Sequence, residues 1–109
     1  MFIIMYEVNL QKEIDYISRQ IVQKYNPRKI ILLGSAARDN FTADSDLDLF
    51  IIKDDPRPGG ERICDVSGMF EHNIAIDVLI YTPAEVEQCL KWGDPFVREI
   101  LSNGKVIYG

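Results

Sequence analysis

Three short apolar runs alternate with helix-period stripes along this chain, and that alternation leaves room for little besides a sheet layered with helices. The first run, Lys29–Leu33, is closed by Gly34 and has the length and β-branched content of a buried strand. The second, Leu47–Ile52, is built of Leu, Phe and Ile and is interrupted by Asp48. The third, residues 73–81, alternates Ile74, Ile76, Val78 and Ile80 with Ala75, Asp77 and Leu79. Ahead of them, Leu10, Ile14, Ile17, Ile21, Val22 and Tyr25 recur every three or four positions. That stripe predicts an amphipathic helix over residues 10–25, with Asn9 as its N-cap and Pro27 as its stop. Ser35-Ala36-Ala37-Arg38 starts a short helix directly after the first strand. Residues 54–60, with two prolines and two glycines, predict a loop, and residues 61–71 a weaker helix. Thr82-Pro83-Ala84-Glu85 is a helix start with a capping box, and Asp94-Pro95 opens a last helix stopped by Asn103-Gly104. Residues 105–108 complete the set as an edge strand. The expected fold is α/β (α+β): one domain over residues 1–109 with a mixed sheet packed against helices.

Composition narrows the function. A chain of 109 residues with 47% hydrophobic side chains can bury a real core, although a small domain gains stability from a partner protein or a homo-oligomer. Its net charge is −5, and its lysines and arginines form no cluster, so direct nucleic-acid binding through released counterions is not expected. A free nucleotide remains open to it if metal ions supply the positive charge. Cys64 and Cys89 lie far apart and outside any metal-ligand spacing, which favours two free thiols in a reducing compartment. The apolar start, Met1 to Tyr6, lacks the basic leader and cleavage site of a secretory signal, and no run approaches the roughly 20 apolar residues of a membrane span. A cytoplasmic location without membrane attachment is expected.

The chemistry concentrates between Leu33 and Leu49. A strand ending in Gly34-Ser35 before a helix lets backbone approach a phosphate and offers unpaired amides, although such a pair is often only a turn. Asp46 and Asp48 add weight. Two apart on a strand, they share a face with alpha carbons roughly 6.6 Å apart, while Leu47, Leu49 and Ile51 take the other face. Paired carboxylates of this kind can bridge Mg²⁺ ions. Asp77 interrupts an otherwise apolar strand, where an unpartnered carboxylate would be costly. If its strand neighbours the one at 47–52, it joins the other two. An EF-hand origin for Asp44, Asp46 and Asp48 fails, because Leu49 stands where that loop needs glycine and Asp55 where it needs glutamate.

In combination these segments resemble the minimal nucleotidyltransferases of the polymerase-beta superfamily. Gly34-Ser35-Ala36-Ala37-Arg38 matches the Gly-Ser-x-Ala-Arg form, and Ser45-Asp46-Leu47-Asp48-Leu49 the Ser-Asp-x-Asp-Leu form. Asp77, within Ile76-Asp77-Val78, matches the later third carboxylate. Asp39 departs from the pattern, since many members have glycine there. The resemblance implies a polymerase-beta-like fold in which Gly34 and Ser35 hold the triphosphate of ATP. Asp46, Asp48 and Asp77 would bind two Mg²⁺ ions and be catalytic, with Asp77 in effect the base. Arg38 would pair with a phosphate or make a structural ion pair. Lys53, Arg57 and Arg62 could close over phosphate, but a plain surface loop is the simpler reading. His72 suits a capping or solvated role, and Trp92 and the tyrosines suit the core.

Stand-alone domains of this size also resemble antitoxins of two-gene modules whose toxin is a helical HEPN ribonuclease. That resemblance implies AMP transfer from ATP to a tyrosine hydroxyl of the toxin. Two other expectations stand beside it: an antitoxin that neutralises its HEPN partner by binding alone, and a small-molecule nucleotidyltransferase. The last fits less well, because such enzymes usually add a sizeable acceptor domain and this sequence stops at Gly109.

Overall fold

The computed structural model describes residues 2–37 and 46–109, with side chains described from Leu10 onward except at Ser35. The elements run α1 (Phe2–Tyr25), β1 (Lys29–Leu33), α2 (Gly34–Ala37), β2 (Leu47–Ile52), α3 (Gly59–Ser67), β3 (Ile76–Tyr81), α4 (Pro83–Trp92), α5 (Pro95–Asn103) and β4 (Lys105–Tyr108). The four strands form one sheet in the order β3-β2-β1-β4. β1 is antiparallel to both β2 and β4, whereas β2 and β3 are parallel. The sheet is therefore mixed, as expected. Parallel neighbours cannot be joined by a tight turn, and α3 lies on the crossover from β2 to β3.

Strand alternation sorts the apolar side chains into two cores. Leu47, Leu49, Ile51, Val78 and Ile80 face one way, against Ile14, Ile17 and Ile21 of α1 and Val66 of α3. Ile31 and Phe50 face the other way with Leu33, Ile52, Leu79 and Tyr81, against Val86 of α4 and Val97 and Ile100 of α5. Asp48 and Asp77 share the parity of Phe50 and Leu79. They consequently sit on the α4–α5 face, at the end of the sheet where that face runs out of apolar residues.

Three boundaries differ from the expected ones. α1 begins at Phe2, and Asn9 lies within it instead of capping it. Residues 2–9 hold neither glycine nor proline, so no backbone feature halts the helix at Asn9. α3 starts at Gly59 behind Pro58 and ends at Gly68, whose N–H donates to the Cys64 carbonyl at 3.2 Å. β3 starts at Ile76, not residue 73, because Ile76 is the register partner of Leu47, the first residue of β2. The caps of α4 and α5 match the sequence chemistry. Thr82 Oγ1 accepts from Glu85 N–H while the Glu85 carboxylate accepts from Thr82 N–H, and Asp94 accepts from Phe96 and Val97 N–H.

The Pro-Gly loop is pinned from inside. Asp55 is buried, and its carboxylate accepts from Tyr25 Oη at 2.6 Å and from Arg57 Nη2 and Nε at 2.7 and 3.0 Å. Arg57 also reaches Asp65 at 3.0 Å, which ties the loop to α3. These contacts hold the Asp55 carboxyl well below the usual carboxylate range, the Arg57 hydrogen bond being the largest cause.

Candidate active site

Gly34 is the steric centre of the acidic patch. Its φ is +63°, a left-handed conformation that L side chains rarely adopt. A Cβ built there would lie 2.7 Å from Asp48 Oδ2, closer than real Cβ contacts allow. Leu33 is the cross-strand partner of Asp48, so the chain turns into α2 directly beside the Asp48 carboxylate. The absence of a side chain at position 34 is what makes room for it. Sequence reasoning assigned Gly34 to a phosphate and missed this packing role; the signal for it was a glycine at a strand end facing an aspartate on a neighbouring strand.

Asp48 and Asp77 are register partners across the parallel pair β2–β3. Their side chains therefore rise from one face on adjacent strands, with backbones about 4.8 Å apart. Asp46 precedes Asp48 by two residues, immediately before β2 begins at Leu47. Asp48 is half-buried and Asp46 and Asp77 are exposed. Burial raises the Asp48 pKa, and the charges of Asp77 and then Asp46 raise it further. The three carboxylates thus feel one another electrostatically. Among the described residues, no lysine or arginine forms an ion pair with any of them. Nor, among the described residues, do three acidic, histidine or cysteine side chains close to metal-ligating distance. The trio lines one patch without meeting at a point.

That donor set fits a hard divalent cation. It offers oxygens only, all from carboxylates, on a patch whose repulsion a cation would relieve. Asp46, Asp48 and Asp77 are the residues that could hold Mg²⁺. Gly34 opens α2 beside them, and a groove of ≈ 240 Å³ runs from it past Ala37 to Phe96, Glu99 and Asn103 of α5. Arg38 lies outside the described residues, as does the side chain of Ser35.

The other basic candidates stand elsewhere. Lys53 Nζ donates to the Asn26 carbonyl, Arg57 is held by Asp55 and Asp65, and Arg62 is buried against the Ile80 carbonyl and Glu85. They follow the far end of β2 from Asp48, and their partners are structural. His72 Nδ1 lies 2.6 Å from the Ile74 carbonyl, a local contact. Trp92 is not core: it is 76% exposed on α4. Cys64 and Cys89 are free thiols.

A crystal structure of a putative nucleotidyltransferase from Sulfolobus solfataricus superposes with a TM-score of 0.59 at 18% identity, covering 78% of each chain, and shares the fold. A Methanocaldococcus jannaschii protein named "Putative protein adenylyltransferase" is 28% identical over 103 residues, spanning 93% of this chain and 100% of that relative. The description of the polymerase beta nucleotidyltransferase family matches residues 15–109, a span that contains Gly34, the acidic patch and the whole sheet, and the chain belongs to that family.

Proposed function

We propose that this protein is a Mg²⁺-dependent adenylyltransferase that moves AMP from ATP to a protein hydroxyl. A tyrosine of a HEPN ribonuclease toxin is the acceptor, and the modification silences the toxin. The observation that carries this reading is the side-by-side placement of Asp48 and Asp77 in the β2–β3 register, with Gly34 packed against Asp48. The name of the methanogen relative, which the chain matches over its full length, supports a protein acceptor over a small molecule.

In this reading Gly34 and Ser35 receive the triphosphate, and Arg38 pairs with one of its phosphates. Asp46, Asp48 and Asp77 hold the metal, which when bound supplies positive charge to the phosphates and acidifies the acceptor hydroxyl. The acceptor oxygen bonds to the α-phosphorus while the bond from that phosphorus to the α–β bridging oxygen breaks. Pyrophosphate leaves with the bond electrons. Asp77, the outermost and most accessible of the strand-borne carboxylates, accepts the hydroxyl proton. Incubation of the partner toxin with protein, ATP and Mg²⁺ should add one AMP to a tyrosine. Transfer by Asp46→Asn/Asp48→Asn at the wild-type rate would refute the carboxylate mechanism.

A second reading, neutralisation by contact alone, draws on the apolar residues left on the surface of α4 and α5, where Trp92, Phe96 and Leu101 are exposed. The same double variant separates the two: full neutralisation of the toxin in cells without AMP transfer favours contact.

A further inference from the structure

α1 is longer than the sheet it covers. Its 24 residues span about 36 Å, whereas the longest strands have six residues and span about 20 Å. Its C-terminal end is fixed to the sheet: Tyr25 is buried, its hydroxyl donates to Asp55 at 2.6 Å, and β1 begins at Lys29. From Tyr25 back to Leu10 the helix packs on the sheet through Ile21, Ile17 and Ile14. The excess therefore lies at the N-terminal end, as an arm of residues 2–9, in a molecule 47 Å long against 28 and 22 Å in the other directions. The arm carries Phe2, Ile3, Ile4, Met5, Tyr6 and Val8, with Glu7 as its one charged side chain. Consecutive apolar residues fall on every side of a helix, and a helix apolar all round belongs in an interior.

The same helix borders a place for such an arm. A groove of ≈ 490 Å³ runs between α1 and β4, with Ile14, Leu32 and Ile107 as its floor and Ser18, Arg19 and Lys105 on its rim. Arg19 and Lys105 are exposed, and neither forms an ion pair among the described residues. Asp15, the acid on this rim, accepts from Gln11 at 3.0 Å. We infer that the arm of α1 lies in the α1–β4 groove of a second copy of this chain, in an antiparallel two-fold pair where Glu7 of each copy meets Arg19 and Lys105 of the other. Charge identifies the occupant: the groove presents two cations, and the arm brings one carboxylate. Glu7 and Arg19 stand about 18 Å apart along one helix, so they cannot meet within a chain. Setting Glu7 opposite Arg19 places the two-fold axis level with position 13, with Val8 opposite Ser18 and Gln11 opposite Asp15. Ile4 and Val8 then close over the apolar floor, and symmetry makes the contact twice. The pairing is independent of nucleotidyl transfer.

The test is sedimentation velocity on the full chain across a concentration series. The wild type should sediment as a dimer, with twice the 12.5 kDa of one chain. Glu7→Arg and Arg19→Glu each set like charges together at both contacts and should raise the dimer dissociation constant about tenfold or more, with wild-type helix content by circular dichroism. An equimolar mixture of the two variants should recover the dimer, because one contact of the mixed pair keeps the native charges and the other carries them reversed. A wild type that is monomeric at every concentration overturns the inference, and its cosedimentation with phosphatidylcholine vesicles would then assign the arm to a lipid surface. A dimer that neither variant weakens, or a mixture no more dimeric than its components, overturns the contact between arm and groove.

Discussion

Adding one methyl group at Gly34 should separate the stability of this fold from its chemistry. Gly34→Ala places a Cβ 2.7 Å from Asp48 Oδ2, where ordinary contact begins at 3.4 Å, so the carboxylate must retreat by about 0.7 Å. The backbone stays at φ +63°, which costs an L residue roughly 1–2 kcal/mol. For a domain of this size that corresponds to a fall in Tm of about 4–8 °C per kcal/mol. The carboxylate tip can swing aside cheaply, so the displacement falls on function. Misplacing a reacting group by about 1 Å costs on the order of 10²-fold, and kcat/KM for AMP transfer should drop by tens-fold to a hundredfold. Gly34→Asn divides the two effects: asparagine tolerates positive φ, so part of the Tm returns, but its Cβ still displaces Asp48 and activity stays low. Thermal melts paired with transfer rates from labelled ATP read both quantities. Gly34→Ala with a lowered Tm and kcat/KM within about twofold of wild type would refute the claim that this glycine exists to seat Asp48.

Four further outcomes follow from contacts away from the patch. Gly60→Ala, where an added Cβ meets nothing within 4 Å, should stabilise α3 by up to about 1 kcal/mol in urea melts. Tyr25→Phe removes the 2.6 Å hydrogen bond to Asp55 and should cost about 1–2 kcal/mol while transfer is unchanged, since the bond is remote from Asp48. Because the folded pKa of Asp55 is depressed, its contribution is complete above the unfolded value of about 4 and fades as pH falls below it. Urea midpoints between neutral pH and about pH 3 should therefore fall less steeply in Asp55→Asn than in wild type. Thr82→Ala breaks the capping box and should cost about 1 kcal/mol, read in the same melts.

Much of this arrangement was legible before any coordinates. Short apolar runs located β1 and β2, period-two alternation located β3, and the proline- and threonine-led starts located α4 and α5, because those signals are local. The pairing of Asp48 with Asp77 was legible only as a condition, since strand order is a long-range property that no local pattern encodes. Asp55 was hidden for a related reason: its partners Tyr25 and Arg57 come from a distant helix and from a loop that sequence chemistry marks only as irregular. The length of α1 was missed because Asn9 has capping chemistry, yet nothing before it prevents helix. Trp92 was placed inside by its type, although α4 presents it to solvent.

Calorimetric titration of a non-hydrolysable ATP analogue, with and without Mg²⁺, into the wild type and into Asp46→Asn/Asp48→Asn tests the carboxylate patch most directly. Nucleotide binding that requires Mg²⁺ in the wild type and vanishes in the double variant is the predicted result. Equal binding with and without the metal, or undiminished Mg²⁺-dependent binding in the double variant, would contradict it.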